Sequence, residues 1–185
     1  MGTLKTTNIQ TITGSGTLTL GTSGETLVLG SGVTSNLNYP AFEAYLGSDQ
    51  SVSHNTVTKV QINTEVLDTD NCYDNTTNYR FTPTVAGKYM IYGSVRGSAN
   101  TNLSNLEKVL TSIYKNGSSY NSSVFRIDYR NNNGTQASTP FSQVLEFNGS
   151  TDYVEIFAQI NDTSGNPEIF AGAKSSLFGA YRIGT

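Results

Sequence analysis

The sequence has no tryptophan, one cysteine, one histidine, four prolines and few charges, which make up only 14% of its 185 residues. Each scarcity closes off a class of protein. A lone Cys72 cannot form an intrachain disulfide, so stability has to come from packing or from association between chains. With no second Cys or His at ligand spacing, a zinc centre is not expected, and Cys72 reads as a small apolar core side chain. His54 lies in Ser53-His54-Asn55 with no nucleophile motif such as Gly-x-Ser-x-Gly beside it, and reads as a surface residue. Lys and Arg are scattered and the net charge is -3, so no electrostatic footprint for nucleic acid is present. The longest apolar run is a handful of residues, far short of the ~20 that a bilayer span needs. Met1-Gly2-Thr3-Leu4-Lys5 also lacks the apolar run of a signal peptide, so neither membrane insertion nor an export signal is expected.

What the chain has instead is Ser, Thr and Asn at 65 positions and Gly at 18 more. These residues suit turns, loops and strands better than helices, which argues against an all-helical protein. Eleven Tyr and eight Phe supply a core, since each buried aromatic removes roughly 150–250 Å² from water.

The first 40 residues hold no aromatic before Tyr39 and carry a short repeat, Thr17-Leu18-Thr19-Leu20-Gly21 echoed by Thr26-Leu27-Val28-Leu29-Gly30. Alternating leucines punctuated by Gly and Ser predict short strands with one apolar face. Too few repeats are present for a solenoid, so residues 1–40 are expected to be a docking arm or short shaft that buries Leu18, Leu20, Leu27 and Leu29 against other chains. Pro40 marks the boundary to a globular section, 41–185. There the patterning predicts strands near 41–46, 57–67, 79–81, 88–97, 107–114, 120–127, 141–147, 153–160 and 176–183. Many short strands at this spacing predict an all-β sandwich or jelly roll.

Within that section, Tyr73-Asp74 leads through Arg80-Phe81 and Pro83 to Gly87-Lys88-Tyr89-Met90-Ile91-Tyr92. Downstream come Tyr114-Lys115-Asn116-Gly117, Leu145-Glu146-Phe147-Asn148-Gly149 before Asp152-Tyr153-Val154, and a terminal Phe178-Gly179-Ala180-Tyr181. In this order the segments resemble C1q-like domains. Ile91 replaces a usual aromatic, Ser150-Thr151 are inserted in the Gly-Asp turn, and Phe-Gly stands where the family has Phe-Ser-Gly. The resemblance implies a ten-stranded, tumour-necrosis-factor-like jelly roll that assembles as a homotrimer through one of its two sheets. Period two from Gly87 puts Tyr89, Ile91, Gly93 and Val95 on one face of a central strand, with the Tyr89 hydroxyl meeting a partner at the core's edge. Tyr89, Ile91, Phe178 and Tyr181 are the candidates for core or trimer interface.

The Leu-Gly-Ser repeat ahead of such a head resembles the C1q-like proteins of bacteriophages, including marine ones. It implies a non-enzymatic virion structural protein, assembled in the host cytoplasm, whose trimeric head adheres to a host-surface glycan or receptor while residues 1–40 dock on other virion proteins. Asp128, Tyr129, Arg130 and Asn132 are the candidate ligand loop, because an aromatic face stacks on sugar while amides and carboxylates meet hydroxyls. No cofactor is expected; calcium on Asp68, Asp70 and Asp74 is the one metal hypothesis, without EF-hand spacing, and loop solvation is the plainer reading. Seven Asn-x-Ser/Thr triplets are close to what this composition gives by chance. The alternatives are a capsid decoration protein with a stabilising role only, a secreted lectin-like module, and a fibre hydrolase using Asp128 and Glu155.

Overall fold

In a computed structural model the described residues are 40–100, 106–126, 134–163 and 166–184. The expected arm, with Leu18, Leu20, Leu27 and Leu29, lies outside them, as does the candidate loop Asp128, Tyr129, Arg130 and Asn132.

Thirteen strands are described: β1 Ala41–Tyr45, β2 Gln50–Ser51, β3 Thr58–Lys59, β4 Thr64–Asp68, β5 Tyr73–Asp74, β6 Arg80–Phe81 and β7 Gly87–Ser98, then β8 Leu106–Lys115, β9 Ser118–Arg126, β10 Gln136–Phe147, β11 Val154–Asp162, β12 Glu168–Ile169 and β13 Leu177–Gly184. The first sheet runs β2-β12-β7-β13-β1-β4, with β10 on the other side of β7. The second runs β5-β6-β11-β8-β9, with β3 also on β11. Every pairing is antiparallel, and the two sheets bury a shared core. This is the expected jelly-roll sandwich.

As its alternation requires, β7 sits centrally, paired with β10 along its whole length on one side and with β13 and β12 on the other. Tyr89, Ile91 and Val95 point inward and are fully buried. The Tyr89 hydroxyl donates to the Val85 carbonyl at 2.7 Å, the edge partner its position calls for. Six aromatic rings from both sheets, Phe42, Tyr73, Phe81, Tyr89, Phe147 and Phe178, meet at 4.4–5.9 Å between centroids. They form the centre of the core.

Three expectations need correction. The single strand expected over 57–67 is two, β3 in the second sheet and β4 in the first. The chain crosses between layers there, and Val60 and Ile62 are buried on the way, so their alternation mimics one strand. The strand expected to start at Phe141 begins at Gln136 and runs through Pro140. Pro140 is tolerated because β10 pairs only with β7, so the missing N–H falls on the unpaired side. The two-residue strands β2, β5 and β12 carry too little pattern to be read in advance.

The insertion Ser150-Thr151 is absorbed locally. Asn148 Oδ1 accepts N–H bonds from Ser150, Thr151 and Asp152, and Gly149 takes φ 73° beside Ala86, where an added Cβ would lie 2.4 Å from the Ala86 nitrogen. Only glycine fits that approach.

Candidate functional site

The outward face of the first sheet carries an exposed apolar row among the described residues. Side chains alternate along each strand, so the residues between the core positions form rows across the sheet. One row is Val144, Met90, Tyr181 and Ala41; the next is Ser142, Tyr92, Gly179 and Glu43. Val144 on the edge strand β10, and Tyr181 and Ile183 on the inner strand β13, are 41–48% exposed. The Tyr92 ring lies flat over Gly179, where an added Cβ would meet it at 2.4 Å, and its hydroxyl donates to Glu43 Oε2 at 2.9 Å. Desolvation first, then that bond to Glu43, pushes the Tyr92 hydroxyl up to about 12. The missing Cβ at Gly179 therefore makes room for the Tyr92 ring.

A second apolar patch lies along the β9 edge, drawn from both faces of the strand. Tyr120, Val124 and Phe125 are exposed on a nine-residue edge strand that carries neither Pro nor Lys. Asn121 Nδ2 donates to Gln143 Oε1 at 3.0 Å, tying this edge to β10 of the first sheet. No local pattern announces these side chains, because β9 reads as an ordinary strand until its outer side is known to be unpaired.

The candidates for core or interface separate cleanly. Tyr89, Ile91 and Phe178 are core, whereas Tyr181 faces outward and packs its ring 6.1 Å from that of Tyr92. Of the candidate calcium residues, Asp68 accepts the N–H groups of Cys72 and Tyr73 at 3.1 and 2.9 Å. Asp74 accepts the N–H groups of Thr76, Thr77 and Asn78. Both carboxylates are thus committed to shaping the turns around β5, and no cluster of three or more potential metal-ligating His, Cys, Asp or Glu side chains occurs among the described residues.

The Thr77 N–H above all holds the Asp74 carboxyl well below the usual carboxylate range. Because the unfolded chain binds that proton more readily, this contribution to stability is complete above the ordinary carboxylate pKa and is lost as the pH falls toward the folded value. We expect Asp74→Ala to cost about 1–2 kcal/mol in urea unfolding at neutral pH. Its unfolding free energy should also fall less between pH 5 and pH 2 than that of the unsubstituted chain, and an equal acid dependence in both would contradict the role.

The other groups weighed for chemistry, Cys72, His54 and Glu155, are similarly occupied. Cys72 is buried, and burial, then the Asp68 charge, push its thiol far up, which makes it a poor nucleophile. His54 is partly exposed and its Nδ1 accepts the Asp162 N–H at 3.3 Å. Glu155 is buried and paired with Lys59, whose ammonium also donates to the Asn78 carbonyl. It is therefore not available as half of a glycosidase pair.

The comparisons with known proteins agree with this architecture. No family model and no curated protein matches the sequence. Among solved structures, murine APRIL superimposes with a TM-score of 0.56 at 11% identity, covering 79% of this chain and 100% of that one. A TNF, Eiger from S. frugiperda, gives 0.52 at 9% identity, covering 78% and 91%. The globular domain of zebrafish complement 1qA gives 0.48 at 17% identity, covering 77% and 93%, a looser likeness that carries no weight of its own. The likenesses to APRIL and Eiger define the class by fold: an all-β jelly roll of the TNF type.

Proposed function

We propose that this chain is a non-enzymatic, homotrimeric binding module of a bacteriophage virion, with residues 41–185 forming a head that adheres to a host-surface glycan and residues 1–40 docking on other virion proteins. The observation that carries the trimer is the pair of apolar patches, the outer face of the first sheet and the β9 edge. They are different surfaces of one chain, so contact between them would be head-to-tail, an arrangement that gives a ring of identical subunits where the rotation closes. The C1q/TNF-like fold supports three as the number. The Leu-Gly-Ser repeat ahead of the head, in a chain rich in Ser, Thr, Asn and Gly, supports the virion setting. Three weak contacts acting together raise avidity by roughly 10²–10⁴ where geometry allows, which suits adhesion.

Light scattering on the purified full chain tests the assembly. The expected mass is three times the 19.9 kDa of the chain. A monodisperse monomer at micromolar concentration overturns it. Immunogold labelling of intact particles tests the setting, with label expected on outward appendages; label spread over the capsid shell would replace adhesion with decoration.

A further inference from the structure

A cavity of about 560 Å³ opens between β4 of the first sheet and the β5–β6 turn of the second. Both strands lie at the edges of their sheets remote from β9 and β10, so the cavity faces away from the apolar β9 patch. Its walls carry Glu65, Asn71, Asn75, Arg80 and Thr82. None of these five side chains makes a hydrogen bond or ion pair among the described residues, so a carboxylate, two amides, a guanidinium and a hydroxyl converge with their bonding capacity unspent.

The frame behind them is fixed. Asp74 closes the turn on three backbone N–H groups, and Asp68 pins the start of β5. The Arg80 guanidinium is steadied by the Tyr153 ring at 4.5 Å, which holds its plane while leaving its N–H groups free. Just before Arg80, Tyr79 takes φ 49°, a left-handed conformation that a bulky aromatic adopts only when its surroundings impose it. The backbone frame is pre-organised for a ligand with many hydroxyls, so the ordering that accompanies binding is confined to the side chains themselves.

We propose that this cavity binds a neutral mono- or disaccharide, one per protomer. The volume falls in the range of small-ligand sites. The charges point to a neutral sugar: Glu65 and Asp74 against Arg80 leave the walls net negative, which disfavours uronates and other acidic saccharides. Glu65 accepts from hydroxyls, Arg80 and the amides donate to them, and an amide serves each hydroxyl in both senses. The inference rests on the adhesive reading above and assigns its ligand to this cavity rather than to Asp128, Tyr129, Arg130 and Asn132.

The test is an array of neutral hexoses, N-acetylhexosamines, hexuronates and their disaccharides, probed with the full chain and followed by calorimetric titration of whichever saccharide is retained. A neutral saccharide is expected, and Glu65→Gln and Asn75→Ala should each weaken it about tenfold or more while leaving the thermal midpoint unchanged. Neutral binding that is indifferent to both substitutions overturns the cavity, as does retention of hexuronates alone. The mass of the same sample separates the two readings. A trimer that retains no saccharide overturns the cavity and leaves the assembly standing; a monomer that binds through Glu65 and Asn75 keeps the cavity and overturns the trimer.

Discussion

Replacing Tyr181 and Val144 together by Asp is expected to turn the proposed trimer into a folded monomer. Both side chains stand on the outward face of β13 and β10, in one row with Met90 between them, and neither contributes to the core. The fold should therefore persist, with its β-sheet circular dichroism unchanged. Association should not, because a carboxylate carried into an apolar contact without a cation loses its hydration with nothing in return. At about 2 kcal/mol per contact, three contacts per ring cost about 6 kcal/mol, roughly four decades in the association constant. Val57→Asp makes the same change at a residue that is also about half exposed but lies just before β3, away from both patches. It should leave the mass at three chains. A trimer that survives the paired substitution would mean that the outer face of the first sheet is not the contact, whatever its composition.

The parts of the fold that were legible in the sequence are those where one strand carries its whole signal. From Gly87 to Val95 the inward positions Tyr89, Ile91 and Val95 fall at period two, and the strand is central with that face buried. The 57–67 segment misled for a physical reason: a crossover that buries Val60 and Ile62 has the same period as a strand, and only pairing tells them apart. Pro140 misled because the penalty for proline depends on which side of the strand has a neighbour, and that is a property of the sheet. Similarly, Tyr181 and Phe178 are three residues apart in one motif, yet one is outward and the other core. The odd spacing fixes that they face opposite ways, and the rest of the fold fixes which way is in. The cavity was the least legible feature. Glu65 belongs to one sheet and Arg80 to the other, and neither has a local pattern that announces the meeting.

Phe42→Ala is expected to be the most destabilising of these substitutions, because Phe42 is where the two layers are held together. Its ring stacks on Tyr73 at 4.4 Å and on Phe81 at 4.7 Å, both from the second sheet, and meets Phe178 of its own sheet edge-on at 4.8 Å. Truncation removes the transfer free energy of the ring and leaves a cavity whose walls are themselves rings anchored in different strands, so collapse is hindered. The cost is about 3–5 kcal/mol, a third or more of the ~5–15 kcal/mol available to an ordinary domain. For a chain of this size, 4 kcal/mol lowers the thermal midpoint by about 8–16 °C. Tyr73→Phe supplies the contrast, since it keeps the stacked ring and removes only the hydroxyl that donates to the Ile62 carbonyl at 2.8 Å. That loss is worth about 1–2 kcal/mol. Association would mask part of either effect by favouring the folded chain, so the comparison belongs on the Tyr181→Asp, Val144→Asp background. If Phe42→Ala there costs no more than Tyr73→Phe, the stacked aromatic cluster is not what joins the sheets, and the stability of this cysteine-poor chain has to be sought in the long ladder between β7 and β10 instead.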